Sequence, residues 1–177
     1  ECKVVKDEKS AFLFQGITTN VYFLAWTTTP WTLPSNTALA VGKSIDYSIV
    51  LTINPFSEEI QVVIVASELY SNYFDKILWT EQLNENEISE VNSIKNPIDK
   101  LVYYKSKGLV KATKTKPIGI VIGNKNGSEL EGIRYEQLLP FTQPTDGDAF
   151  KVVSGDFVTT SDGTGIVHIA PSFGADD

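Results

Sequence analysis

The chain has 177 residues, 42% of them apolar and 21% charged, with a formal net charge of −7. The apolar share is ordinary for a globular protein and too high for a disordered one, and the length suits one domain that buries about two-thirds of its unfolded surface. A single cysteine, Cys2, excludes an internal disulfide framework and a cysteine-based metal cluster, and no apolar run reaches the ~20 residues a membrane helix needs.

In chain order the predicted elements are mostly strands. Gly16 and the Thr18–Thr19–Asn20 cluster punctuate the chain before an apolar run that predicts a strand over Val21–Trp26. The stretch WTTTPWTLPSN, Trp26 to Asn36, then crowds four threonines and two prolines around Trp31. A residue before proline is pushed toward extended geometry, so Thr29 and Leu33 predict a rigid, non-helical strand end presenting hydroxyls and backbone groups. Such an edge suits the wall of a pocket, and it equally suits a plain Thr-rich strand and turn. Tyr47–Ile53 and Gln61–Ala66 read as strands joined by the turn Asn54–Pro55–Phe56–Ser57, a hairpin. Ser67 is placed to cap a helix running to about Gln82, with Glu68 in its first turn and Leu69, Tyr70, Tyr73, Phe74, Ile77 and Leu78 along one face. Asn84 to Pro97 reads as a polar loop holding at most a short helical turn. Further strands are predicted at Leu101–Tyr104, Leu109–Ala112, Ile118–Ile122, Gly155–Thr160 and Gly165–Ile169, with turns at Lys105–Gly108 and Gly123–Gly127. The pattern predicts an α+β, mostly β, or barrel-like domain with few helices.

Charge is unevenly spread. Lys95, Lys100, Lys105, Lys107, Lys111, Lys114, Lys116 and Lys125 supply eight of the fifteen basic residues, with Asp99 the only acid among them. Just upstream, Glu81, Glu85, Glu87 and Glu90 form an acidic run. Net charge argues against nucleic acid as a partner, whereas a local basic stretch admits two readings: solvated loops, or a phosphate-facing patch on an acidic domain. The chain starts at Glu1 and contains no methionine, which leads us to expect a piece cut from a larger protein, with residues 1–177 forming a single domain.

The second dense motif is Ser161–Asp162–Gly163–Thr164–Gly165–Ile166–Val167–His168–Ile169–Ala170–Pro171, followed by Ser172–Phe173–Gly174–Ala175–Asp176–Asp177. It places the only histidine, His168, at a strand end that Pro171 stops. His168 is either a satisfied structural side chain or a pocket group. Asp176 and Asp177 are either surface polarity or carboxylates able to hold an ammonium through a charge-assisted hydrogen bond. These three are too few, and wrongly spaced, for a zinc or di-metal site, and no GxGxxG, Walker or GxSxG signature is present. A hydrolase built on these residues would use a positioned water, with binding groups and electrostatics carrying the chemistry.

Taken together, AWTTTPWTLPSNTALAV (residues 25–41) and GTGIVHIAPSFGADD (residues 163–177) closely resemble the editing domain inserted in isoleucyl-tRNA synthetases. These motifs cover 32 of the 177 residues. The related valyl and leucyl enzymes characteristically carry Arg after the second threonine; Thr29 stands there in this chain, followed by Pro30–Trp31–Thr32–Leu33–Pro34, which favours the isoleucyl member. The HIGH and KMSKS signatures of the synthetic site are absent, so the resemblance implies the editing module alone, without isoleucine activation or ATP use. It implies the barrel-like editing-domain fold with a few peripheral helices. It implies hydrolysis of the ester of Val-tRNA(Ile), with valyl-adenylate as a further candidate substrate. A pocket that admits valine and excludes isoleucine multiplies a discrimination that one methylene limits to roughly 1–3 kcal/mol, a limit for which this enzyme family is the standard example. Carried over position by position, Asp177 would grip the α-amino group. Thr27, Thr28 and Thr29 would surround the ester and the attacking water, with Thr28 and Thr29 the stronger catalytic candidates. Asn36 would lie near the adenosine, His168 would exclude the cognate side chain, and Asp176 and Trp31 would stand at the pocket, Trp31 there or as a packing anchor. The resemblance implies no cofactor and no metal for editing, and as partners the 3′ end of tRNA(Ile) and the catalytic core of the parent synthetase. It implies a cytoplasmic monomer. Two rivals remain: a binding module for the aminoacyl-adenosine end that does not turn over, and a free-standing aminoacyl-tRNA deacylase.

Overall fold

A computed structural model describes residues 1–75, 83–108, 116–141 and 144–171. Its strands are β1 (Cys2–Lys3), β2 (Val21–Phe23), β3 (Ala38–Val41), β4 (Asp46–Ile53), β5 (Ile60–Ala66), β6 (Gly119–Asn126), β7 (Lys151–Ser154) and β8 (Ile166–Ile169). The helices are short: α1 (Tyr70–Tyr73), α2 (Glu85–Ser93), α3 (Pro97–Ser106) and α4 (Gly127–Leu130).

The strands form a five-stranded sheet in the order β1-β2-β5-β4-β6 and a three-stranded sheet in the order β7-β3-β8. The mostly-β α+β class holds, but these two sheets do not close into one barrel. Single bridges join them instead: Val4 to Tyr135 and Arg134 to Lys151 on one flank, and Trp26 to Val167 on the other. β4 and β5 are buried almost from end to end rather than at alternate residues, as strands covered on both faces are. The main core draws Phe23, Val50 and Ile64 from the large sheet, Leu39 and Val152 from the small one, and Leu101 and Tyr104 from α3. The β4–β5 hairpin forms as expected. Asn54 Oδ1 accepts the N–H groups of Phe56 and Ser57 at 2.9 and 3.1 Å, which turns the chain.

Several local expectations gave way to tertiary context. Leu101–Tyr104 lies in α3, not in a strand. Asn96 accepts the Ile98 N–H, Pro97 occupies the first turn, and Ile98, Leu101 and Tyr104 recur at helical spacing on the buried side. Asn84 to Pro97 is not mainly loop: a reciprocal capping box between Asn84 and Glu87 starts α2. Gly123–Gly127 is no turn, because β6 stays paired with β4 as far as Asn126 opposite Asp46. Gly155–Thr160 contains no strand; Val158 N–H returns to Gly155 C=O in a turn, and the strand is β7, just before it. The helix from Ser67 shrinks to a 3₁₀ turn, Ser67–Leu69, and one turn of α1. Phe74 is already extended, Asp75 bridges Ile118, and the Ser67 hydroxyl pairs with Ser48 Oγ at 2.8 Å instead of capping. The remainder of that helix and the strand expected at Leu109–Ala112 lie outside the described residues.

Candidate functional site

Both dense motifs arrive at one place. β8 runs antiparallel to β3, with His168 opposite Leu39, and its outer edge touches Trp26 through the bridge at Val167. The threonine stretch therefore leaves β2 alongside β8. It then winds into a 3₁₀ turn, Pro30–Ser35, which corrects the non-helical reading. Pro30 suits the first position of that turn, and the closing bonds are Thr32 N–H to Thr29 C=O and Asn36 N–H to Leu33 C=O. Between this stretch and the loop Asp162–Gly165 lies a cleft of about 360 Å³, within the usual range for small-ligand sites.

Thr27, Thr28 and Thr29 line the cleft, as does His168. Hydroxyls link them. Thr27 Oγ1 accepts the Thr29 N–H at 3.0 Å and stands 3.3 Å from Thr29 Oγ1, which is itself 3.3 Å from Thr32 Oγ1. Thr32 Oγ1 donates to Thr29 C=O at 2.7 Å and meets His168 Nε2 at 2.9 Å. A hydroxyl has one proton; with it on the Thr29 carbonyl, the contact with His168 calls for the tautomer that carries hydrogen on Nε2. Thr32, almost fully buried, is thus a cleft residue that sequence reasoning left out, although it sits in the same motif.

Other expected residues fall elsewhere. Asn36 is 4% exposed and is not on the cleft lining. Its Oδ1 accepts from Tyr135 Oη at 2.7 Å, and its Nδ2 donates to Ala38 C=O at 2.9 Å and to Ile169 C=O at 3.4 Å. The amide ties the end of the 3₁₀ turn to β3 and β8 through these bonds, so its side chain is engaged largely in holding the wall. Trp31 is 70% exposed, so it anchors no packing among the described residues, and it too is off the cleft lining. The half-exposed Trp26 and Phe157 border the cleft instead. Asp176 and Asp177 lie outside the described residues. Among the described lining residues Asp162 carries the only charge.

The opposite wall depends on two glycines in the left-handed region, Gly163 at φ 66° and Gly165 at φ 70°. A Cβ on Gly165 would stand 2.4 Å from Ala66 Cβ, so β5 passes directly beneath the loop. Tyr47 Oη accepts the Gly42 N–H at 3.0 Å and donates to Gly165 C=O at 2.6 Å. Burial pushes this phenol up to about 12, and the Gly42 hydrogen bond opposes that shift. Tyr73 Oη donates to Gly163 C=O at 2.7 Å and is also raised, by burial first and then by the Asp162 carboxylate.

The basic stretch has none of its described lysines on the cleft lining. Among its described lysines, Lys105 bonds Glu58 C=O, Lys107 approaches Glu87 at 3.6 Å, Lys116 approaches Asp75 at 3.5 Å, and Lys125 pairs with Glu129 at 2.8 Å while lying over the Phe12 ring. Such contacts spread the charge over separate surface sites; Lys111 and Lys114 lie outside the described residues.

No family model matches the chain. It is 47% identical to isoleucine–tRNA ligase of Porphyromonas gingivalis over 173 residues, which is 98% of this chain and 13% of that protein. It thus spans about an eighth of that relative's length. Two solved structures share the fold. The structure titled GlLeuRS-CP1 aligns with a TM-score of 0.59 at 18% identity, covering 97% of this chain and 53% of that one. The editing domain of the P. knowlesi cytosolic leucyl-tRNA synthetase aligns at 0.56 and 13%, covering 96% and 56%. By sequence and by fold together, the chain belongs to the isoleucyl-tRNA synthetase family, as the segment with the editing-domain fold.

Proposed function

We propose that this segment hydrolyses the ester of valine wrongly joined to isoleucine tRNA, acting as the editing module of a larger synthetase. The observation that best supports this is the hydroxyl chain from Thr27 through Thr29 and Thr32 to His168, along one side of a cleft of ligand size. The 3′ end of a mischarged tRNA enters with its terminal adenosine, and Asp177, placed by the motif alone, pairs with the free ammonium. The threonine groups, with Thr28 and Thr29 nearest the chemistry, orient a water against the ester carbonyl. His168, held by Thr32, occupies the space an additional methylene would need. An aminoacyl ester is already activated, so orientation supplies much of the rate and no side chain has to act as a strong base; neither metal nor cofactor enters the scheme. Valyl-adenylate fits the same chemistry. The partners are tRNA(Ile) and the synthetic core of the parent, in the cytoplasm. Among the described residues no helix is long and apolar enough to cross a membrane.

The test is deacylation of Val-tRNA(Ile) by the full-length synthetase carrying Asp177→Ala. Loss of the ammonium contact and of the alignment it imposes is expected to slow hydrolysis by about 100-fold or more. Hydrolysis near the wild-type rate refutes the role of Asp177. A wild-type enzyme that binds a non-hydrolysable valyl-adenosine analogue but leaves the ester intact refutes the hydrolase reading in favour of a binding module.

A further inference from the structure

The carbonyls of three successive residues in the cleft wall are all held from outside the cleft. Gly163 C=O accepts from Tyr73 Oη at 2.7 Å, Thr164 C=O from the Ala66 N–H at 2.9 Å, and Gly165 C=O from Tyr47 Oη at 2.6 Å. Gly163, Thr164 and Gly165 line the cleft, whereas Tyr73, Ala66 and Tyr47 do not. The carbonyls therefore point away from the cleft. Described peptide bonds are trans, and in a trans peptide the N–H lies opposite the C=O it is bonded to. The N–H of Thr164 is set by the Gly163 carbonyl, and the N–H of Gly165 by the Thr164 carbonyl. Both are turned toward the cleft side. Successive backbone donors around a left-handed glycine form the concave arrangement that suits an anionic oxygen.

We propose that the Thr164 and Gly165 N–H groups are the donors that receive the ester carbonyl oxygen as it gains negative charge, and that Tyr73 is a positioning residue which aims them. This rests on the hydrolytic reading above. Water adds to the ester carbonyl carbon, and the carbonyl π pair moves onto its oxygen, where the two N–H groups meet it. Collapse of that adduct re-forms the carbonyl and releases the ribose oxygen, which takes up the proton shed by the attacking water, leaving free valine and intact tRNA. Donors fixed before reaction cost no reorganisation as the charge appears, which is why such groups matter more to turnover than to binding. Tyr73 is the accessible lever: its ring is partly exposed, and its hydroxyl donates to the Gly163 carbonyl.

The experiment compares full-length synthetase with its Tyr73→Phe form in steady-state deacylation of Val-tRNA(Ile). A second form replaces Thr164 by its α-hydroxy acid, exchanging the backbone N–H for oxygen while keeping the side chain. Tyr73→Phe is expected to lower kcat about tenfold with KM changed less than twofold, and removal of the Thr164 N–H to lower kcat about 100-fold. Affinity for the non-hydrolysable valyl-adenosine analogue is expected to stay within twofold in both. A merely structural role for Tyr73 would shift the unfolding midpoint and leave kcat per folded molecule intact, and that result overturns the proposal. So does an α-hydroxy form that turns over normally, or one that loses KM alone. If the wild-type enzyme fails to deacylate Val-tRNA(Ile), the hydrolytic reading falls and this proposal with it. Normal wild-type turnover with unaltered variants overturns only the proposal.

Discussion

Replacing Gly165 by alanine tests the seat of the cleft wall on β5. The residue holds φ 70°, where an L side chain costs about 1–2 kcal/mol. The added Cβ would also stand 2.4 Å from Ala66 Cβ, well inside van der Waals contact. Ala66 cannot easily yield. It is fully buried at the end of β5, is paired with Tyr47 across the hairpin, and gives its N–H to Thr164 C=O. Overpacking of that kind costs a further ~1–3 kcal/mol, so the expected total is about 2–5 kcal/mol, a large part of an ordinary domain's stability. Gly16 provides a matched control: it has the same φ of +70°, and a methyl group there would meet nothing within 4 Å. Gly16→Ala should therefore show the backbone cost alone, about 1–2 kcal/mol. Urea unfolding of both variants, and of Gly165→Ala combined with Ala66→Gly, separates the two contributions. The double variant is expected to recover about 2 kcal/mol relative to the sum of its single changes. Equal destabilisation by Gly165→Ala and Gly16→Ala, with no coupling to Ala66, would show that the wall does not rest on β5 as described.

Asn36→Ala is expected to destabilise the fold by about 3 kcal/mol, because Tyr135 Oη and the Ala38 and Ile169 carbonyls lose a shared buried partner; Kd for the non-hydrolysable valyl-adenosine analogue should hardly move in the folded fraction. A raised Kd with unchanged unfolding would instead assign Asn36 to the adenosine. Tyr47 predicts an alkaline dependence. Its folded-state value is raised from 10.0 to about 12, so its contribution to stability is complete below pH 10 and disappears as the pH climbs toward 12. Within that window the loss is about 1.4 kcal/mol per pH unit, and unfolding midpoints of Tyr47→Phe should lack that part of the slope. Identical slopes for the two proteins would contradict the buried Tyr47 bridge.

Much of the architecture was legible where local chemistry dominates. The hairpin of β4 and β5 follows from two long β-branched runs with Asn54 between them, and the punctuation at Pro171 ends β8 as expected. Legibility failed where local signals conflicted. Leu101–Tyr104 has strand-forming residue types, but the preceding Asn96–Pro97 cap and its three-residue apolar spacing won as α3. In the Thr-rich stretch, two prolines were read as extending the chain, while Pro30 instead opens a 3₁₀ turn that brings Thr32 inward.

By itself, the sequence determined that two motifs exist, which hydroxyls and glycines they hold, and which family they belong to. Only the tertiary structure decided that Thr32 meets His168 across 136 positions, that Asn36 faces the interior, and that Tyr47, Ala66 and Tyr73 each hold one carbonyl of the facing wall. The physical reason is range. Turn chemistry and periodicity act over a few residues, whereas a hydroxyl's partner is chosen by whichever strands pack beside it.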